Sequence, residues 1–172
     1  MYARDIARIA TPVGIIAVEG DALAVHRVQI DVSGAVTNGT TAPVRFAADQ
    51  LEQWFAGERM VFDLPLAPAA TRRGQALRDA MVAIGYGDTR SYSALARIAA
   101  SSARAIGQAC ARNPFPIIVP CHRILNADGR LGAYSAGQGP TTKQWLLEHE
   151  RSVRGLLGRT PAVPHQIDLF SQ

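Results

Sequence analysis

The chain has 172 residues, with 48% hydrophobic and 19% charged residues and a formal net charge of +4. That length buries a sizeable core, as one domain or two small ones packed together, and the composition is that of a water-soluble globular protein. No apolar run approaches the ~20 residues of a membrane span, and the charged N-terminus "MYARDIARIATPVG" lacks a signal-peptide stretch, so the cytoplasm is the expected compartment. Two cysteines, Cys110 and Cys121, are too few for a disulfide framework or a four-cysteine zinc site, and no Cys/His pair has metal-finger spacing.

Charge is unevenly shared. Residues 1–70 hold five Arg against eight acids, whereas residues 71–172 hold thirteen Lys/Arg against six. From Arg90 to Arg123 there are five arginines and no acid. A basic stretch of this kind suits a polyanionic partner, because neutralising phosphates releases counterions; a merely solvated face is the alternative.

In chain order, "IARIA", "GIIAVEG" and "LAVHRVQI" read as short β-strands, with Glu19-Gly20-Asp21 as a turn between the last two. Residues 33–43, small and polar, read as a loop. "FAADQLEQWFAGE" has helical apolar spacing at Phe46, Leu51, Trp54 and Phe55 and stops at Gly57. "RMVFDLPLAP" predicts one more extended segment running into a linker near residues 65–71. "GQALRDAMVAIGYG" predicts a helix ending at Gly85, "SYSALARIAA" a helix capped by Ser91, and "SSARAIGQACAR" another capped by Ser101 or Ser102. The last two form a helix-turn-helix candidate. "NPFPIIVPCHRIL" carries three prolines that exclude helix and predict an extended strand, followed by a hairpin or wing turning at Asp128-Gly129. "TTKQWLLEHER" predicts a final helix capped by Thr141 or Thr142, and a Gly/Pro-punctuated tail follows.

Within "IIVPCHR", Cys121 is either a small buried hydrophobe or a nucleophile beside its base. At an ordinary pKa of ~8.5 a thiol is only a few per cent thiolate at neutral pH, so a reactive role needs a base, for which His122 qualifies if a carboxylate orients it. Neighbours on a strand point to opposite faces, so direct Cys121–His122 contact is not assured. At ~100° per residue, Glu150 lies about 40° from the centre of the apolar face at Leu146, whereas Glu148 points almost oppositely. An acid on an apolar face needs a partner, which makes Glu150 the better candidate to orient His122.

The run "NPFPIIVPCHRIL" resembles the active-site segment of the O6-alkylguanine-DNA alkyltransferases. "YGDTRSYSALA", "ARAIGQACARNP", "DGRLGAYSAG" and "KQWLLEHE" match that family in order, and "LEQWFAGERMVFDLPL" and "ATPVG" extend the match upstream. The resemblance implies that O6-alkylguanine, with O4-methylthymine as a further candidate, is flipped out of duplex DNA and dealkylated in one irreversible step on Cys121. His122 would deprotonate the thiol through a water and Glu150 would polarise His122. Asn113 matches the hinge asparagine, and Tyr92 the tyrosine that donates to the guanine ring. Arg104 matches the arginine finger that fills the duplex gap, and Ser102, Ala103 and Gly107 match small residues that enter the minor groove. Arg123 is assigned a structural or phosphate-contacting place with the DNA-binding residues. Tyr134, Ser135, Ile124 and Cys110 are assigned to the substrate pocket.

No cofactor and no metal are implied. The implied fold is an α/β N-terminal domain, a small antiparallel sheet with a helix, plus a mostly α C-terminal domain with a helix-turn-helix/winged-helix-like element. The expected divisions are 1–68, 69–155 and a flexible tail, 156–172, in a monomer without membrane contact. Arg73 and Arg78 depart from family aromatic positions, and the loop before the last helix is two residues longer than usual. In the tail, Gln166, Leu169 and Phe170 resemble a sliding-clamp-binding motif; packing back on the domain is the alternative. A damage-binding protein without transfer and an unrelated cysteine hydrolase are the competing readings. The presence of Cys121 argues against the first, and no oxyanion-hole motif supports the second.

Overall fold

The computed structural model describes residues 3–158. Strands β1 (Asp5–Thr11), β2 (Gly14–Gly20) and β3 (Val25–Val32) form an antiparallel sheet in the order β1-β2-β3. The second turn falls after Gly20 rather than across it: Asp21 Oδ1 accepts from the N–H groups of Leu23 (2.8 Å) and Ala24 (3.1 Å), an Asx-type turn.

Helix α1 (Ala42–Phe55) starts four residues earlier than its apolar spacing predicts. Pro43 sits in its first turn, and the Asp5 carboxylate accepts from Thr40 N, Thr41 N and Thr41 Oγ1 at 2.7–2.8 Å, tying strand β1 to the helix start. Its buried stripe is Val44, Ala47, Leu51 and Trp54, while Phe46 faces solvent. The segment expected to be extended after α1 contributes only an isolated bridge: Val25 N donates to Pro65 O and Ala67 N to Val25 O, both at 2.8 Å.

Helix α2 (Arg72–Val82) is capped by Thr71, whose Oγ1 accepts from Gly74 N. Strand β4 (Arg90–Ser91) leads directly into α3 (Tyr92–Ile98), capped by Ser91, and α4 (Ala103–Ala111) is capped by Ser102. Between α3 and α4 the chain turns at Ala100, whose φ is 47°.

The stretch predicted as a strand through residues 113–125 is a correction. Only β5 (Ile124–Leu125) pairs, parallel with β4. Residues 114–120 instead fold into successive turns, with Val119 N donating to Phe115 O and Cys121 N to Val119 O, both at 2.8 Å, and Cys121–Arg123 forms one 3₁₀ turn. Prolines 114, 116 and 120 have no N–H to offer a ladder, so the β-branched run cannot continue as a strand. Buried Ile117 takes φ 74°, a left-handed conformation that costs a β-branched residue about 1–3 kcal/mol and that the surrounding packing must impose.

The wing reduces to a turn, with Asn126 N donating to Arg130 O at 2.9 Å, and no strand forms over residues 126–139. Helix α5 (Pro140–Leu157) is preceded by Gly139 (φ 64°), not by a threonine cap; Thr142 Oγ1 instead reaches back to accept from Gln138 N. Gln166, Leu169 and Phe170 lie outside the described residues.

One buried cluster runs from the sheet through Trp54, Met81, Leu95 and Ile106 to Phe115, Ile124 and Leu146. Val28 N of the sheet edge donates to Pro114 O at 2.8 Å, so β3 is stitched directly to the turn that precedes Cys121. Among the described residues no helix is long and apolar enough to cross a membrane.

Candidate active site

Asn113, at the end of α4, fixes the turn that carries Cys121. Its Nδ2 donates to Val119 O (2.9 Å) and to Cys121 Sγ (3.2 Å), while its Oδ1 accepts from Phe115 N (3.0 Å). One amide thereby supplies partners that three prolines cannot. Cys121 is buried, and burial raises its pKa, with the Asn113 hydrogen bond and the charge of Lys143 acting in the opposite direction. The thiol is therefore neutral at rest, and a proton acceptor is needed to make it nucleophilic.

The next residue supplies that acceptor. His122 is fully buried, and its Nε2 lies 2.7 Å from Glu150 Oε1. A carboxylate acceptor there fixes the Nε2–H tautomer and leaves Nδ1 as the lone-pair nitrogen. Nδ1 is buried with no partner among the described residues. Burial lowers the His122 pKa, outweighing the pull of Glu150, so the ring is neutral. Burial alone would raise the Glu150 carboxyl, but hydrogen bonds and charge from His122 and Arg123 hold it down at about 2.

Of the two roles expected for Arg123, the structure favours the structural one over the phosphate contact. Arg123 is 5% exposed and cannot serve as a surface phosphate contact. Its Nε and Nη2 donate to the Glu150 carboxylate at 2.8–3.1 Å, and its Nη1 donates to Ile84 O at 2.6 Å. Gly87 N completes the set by donating to Glu150 Oε2 at 2.9 Å. The motif Cys-His-Arg is thus a single 3₁₀ turn whose second and third side chains converge on one carboxylate of α5, while the first faces Asn113.

Around the thiol lie Tyr92, Cys110 and Tyr134. Burial pushes the Tyr92 hydroxyl up to about 12 and the Cys110 thiol likewise, and raises Tyr134, whose hydroxyl is buried without a partner among the described residues. Cys110 also contacts Met81 Sδ at 3.8 Å. Ile124 is fully buried, whereas Ser135 is exposed. Ser102, Ala103 and Arg104 are exposed on the first turn of α4, and the site of a Cβ on Gly107 is open space. These four residues make a small-residue face with one cation on it.

Two residues of the site went unassigned in the sequence. Lys143 is fully buried on α5, with Nζ donating to Ile124 O (2.6 Å) and Ala133 O (3.3 Å) and lying 5.9 Å from the Tyr92 ring. It clamps the strand after Cys121 to the segment before Tyr134. The helical arithmetic that selects Glu150 also selects Lys143, about two turns earlier on the same stripe. Trp54 of α1 stands edge-on to His122, ring centroids 6.2 Å apart, and no local signal marks that contact. The departures at Arg73 and Arg78 find new partners: Arg78 lies over the Phe115 ring at 5.0 Å and donates to Ala67 O, and Arg73 donates to Ser101 Oγ.

A buried cysteine braced by an amide, beside a neutral His–Glu pair and an exposed helix-turn-helix, defines a class of DNA-directed protein in which a thiol does the chemistry. Residues 74–152 match the family described as 6-O-methylguanine DNA methyltransferase, DNA binding domain. A methylated-DNA–protein-cysteine methyltransferase of Mycobacterium tuberculosis (strain ATCC 25618 / H37Rv) is 45% identical over 120 residues, covering 67% of this chain and 72% of that protein. One of Methanosarcina acetivorans is 43% identical over 110 residues, covering 63% and 69%. The crystal structure of Mycobacterium tuberculosis O6-methylguanine methyltransferase superposes with a TM-score of 0.75 at 32% identity, over 94% of this chain and 97% of that one. That of M. tuberculosis OGT in complex with DNA gives 0.73 at 35% identity, over 86% and 93%. The chain belongs to the methylated-DNA–protein-cysteine methyltransferase family, whose members repair DNA by moving an alkyl group to a cysteine.

Proposed function

We propose that this chain repairs duplex DNA carrying O6-alkylguanine by taking the alkyl group onto Cys121, once per molecule. The observation that carries the reading is the pairing of Cys121 Sγ with Asn113 and of His122 with Glu150, with His122 Nδ1 left as a buried acceptor. The thiol proton passes to His122 through one water, and the Glu150 carboxylate, held ionised by Arg123, stabilises the imidazolium that forms. The sulfur–carbon bond forms as the O6–carbon bond breaks, and the electron pair leaves with the guanine. Tyr92, protonated at neutral pH, donates a hydrogen bond to the guanine ring and so helps its departure. The thioether has no labile bond for water to attack, which accounts for a single turnover.

Base flipping brings the damaged nucleotide to this buried thiol. The exposed turn of α4 supports the DNA side of the reading: Ser102, Ala103 and Gly107 allow close approach to the minor groove, and Arg104 fills the gap left in the stack. Tyr134, Ile124, Cys110 and the Ser135 backbone form the base pocket. The protein acts as a monomer in the cytoplasm, divided into an N-terminal unit, 1–68, and a DNA-binding and transfer unit, 69–155. Beyond them Gln166, Leu169 and Phe170 bind the replication sliding clamp. A pull-down with clamp, comparing the full chain with one truncated after Pro164, tests that last element.

Intact mass after incubation with duplex DNA containing O6-methylguanine tests the central reading. Wild type gains one methylene and Cys121→Ser gains nothing. Tight binding without a mass change would move the protein to the damage-binding class.

A further inference from the structure

The DNA reading assigns binding to α4, yet the structure has a second basic surface at the seam between the sheet and the C-terminal half. A cleft of about 520 Å³ lies between β3 and the segment that follows α4. Arg27, Gln29, Arg112, Asn113, Ser135 and Gly137 line it, and among the described residues no acidic side chain does. Arg27 and Arg112 are both exposed, and among the described residues neither forms an ion pair.

The position of Arg27 follows from the sheet. Strand β3 is the edge that hydrogen-bonds the C-terminal half through Val28 and Pro114, and a register shift between Glu19 and Gly20 bulges it at this point. Bulges re-aim side chains. Here His26 and Arg27 are both exposed in succession, which strict alternation would forbid. Glu19 sits opposite Arg27 in the register and accepts from the Gln29 amide at 3.2 Å, in the orientation that lets the amide oxygen accept from Arg27 at 3.3 Å. The cleft therefore offers two guanidinium forks and, among its lining residues, no carboxylate bonded to either of them. Asn113, on the same wall, braces Cys121 Sγ.

We infer that this cleft holds a backbone phosphodiester of the DNA strand, so that Arg27 of the N-terminal sheet is a DNA-contacting residue. Guanidinium forks match the tetrahedral oxygens of a phosphate and neutralise its charge. The contact spans both halves of the chain and gives the sheet a part in holding the nucleic acid. The inference rests on the DNA-repair reading, and the two are tested apart.

Binding of an unmodified 16-base-pair duplex is followed by fluorescence anisotropy across a salt series for wild type, Arg27→Ala, Arg27→Lys and Arg45→Ala. Arg45, on α1 beside β1 at the opposite edge of the sheet, is the control for loss of one positive charge. One phosphate contact contributes about 0.9 to the slope of log K against log salt, so Arg27→Ala lowers the slope by that amount and weakens binding about eight-fold at 0.1 M salt. Arg27→Lys keeps the slope, and Arg45→Ala matches wild type. Wild-type slope in Arg27→Ala overturns the inference while leaving the repair reading intact, and so does an equal loss in Arg45→Ala. Failure of the wild type to gain mass from methylated duplex overturns the repair reading separately, whatever the salt series shows.

Discussion

Replacing Glu150 by Gln keeps the shape of the side chain and removes its charge, in a place where three donors depend on it. His122 Nε2, Arg123 and Gly87 N all donate to the two carboxylate oxygens, and the acid is fully buried. An amide presents an NH₂ group to at least one of these donors and leaves the Arg123 guanidinium without a countercharge. Losing one partner of a buried ion pair costs about 3–5 kcal/mol. An independent route gives the same scale. The carboxyl sits at about 2 against an ordinary 4.5, and at 1.36 kcal/mol per pH unit that is about 3 kcal/mol of stability.

At about 2–4 °C per kcal/mol for a chain of this size, Glu150→Gln lowers Tm by roughly 6–20 °C. The assay is thermal unfolding at pH 7 and through the acid range. A depressed carboxylate stabilises the fold above pH 4.5 and loses that contribution as pH falls toward 2, so wild type shows this acid loss and the variant does not. The double variant Arg123→Met, Glu150→Leu recovers most of the stability, because an apolar pair replaces both charges, but it does not recover transfer, since His122 has lost its acceptor. A Tm change under about 2 °C in Glu150→Gln, or full transfer by the double variant, would refute the argument.

Further outcomes follow from neighbouring features. Asn113→Ala removes the side chain that joins Phe115, Val119 and Cys121 and costs about 1–3 kcal/mol, read by urea unfolding; an unchanged midpoint would show that the turn holds without it. Because burial lowers the His122 pKa, the acid limb of the single-turnover transfer rate is centred below 6.5, and a limb at or above that value would contradict a buried neutral base. The same shift makes stability fall as pH drops below 6.5, where the unfolded chain takes up a proton that the folded one refuses. Ala100→Gly relieves the left-handed turn before α4 at an exposed position and stabilises by about 0.5–1 kcal/mol, so a lower Tm would show that Ala100 is not strained.

What could be read from the sequence was what local periodicity encodes. Helical geometry places Glu150 on the inner face of α5, and the structure puts it against His122. Ser91 and Ser102 cap the helices they precede. Legibility failed where distant groups decide. The β-branched letters of "PFPIIVP" suggest a strand, but missing proline donors and the Asn113 amide make turns of it, with Ile117 forced to positive φ. Arg123 looks like a surface cation in a basic stretch until a carboxylate 27 residues later draws it inside. Lys143 was in principle visible on the same stripe as Glu150. Trp54 was not, because its target lies 68 positions further along the chain.

That tryptophan has a bearing on how the protein can be cut. Its ring is edge-on to His122 and tilted against His149 at 4.8 Å, and His149 Nε2 bonds the Trp54 carbonyl at 3.0 Å. A fragment beginning at residue 69 would keep the thiol, its histidine, the carboxylate and the helix-turn-helix. It would also open one side of the imidazole to water. The ring's proton affinity would climb back toward the ordinary histidine range, and its grip on the carboxylate would loosen as solvent competed for the hydrogen bond. The N-terminal half is insulation for the base, and a miniaturised alkyl acceptor built from this chain needs a replacement for one indole before it needs anything else.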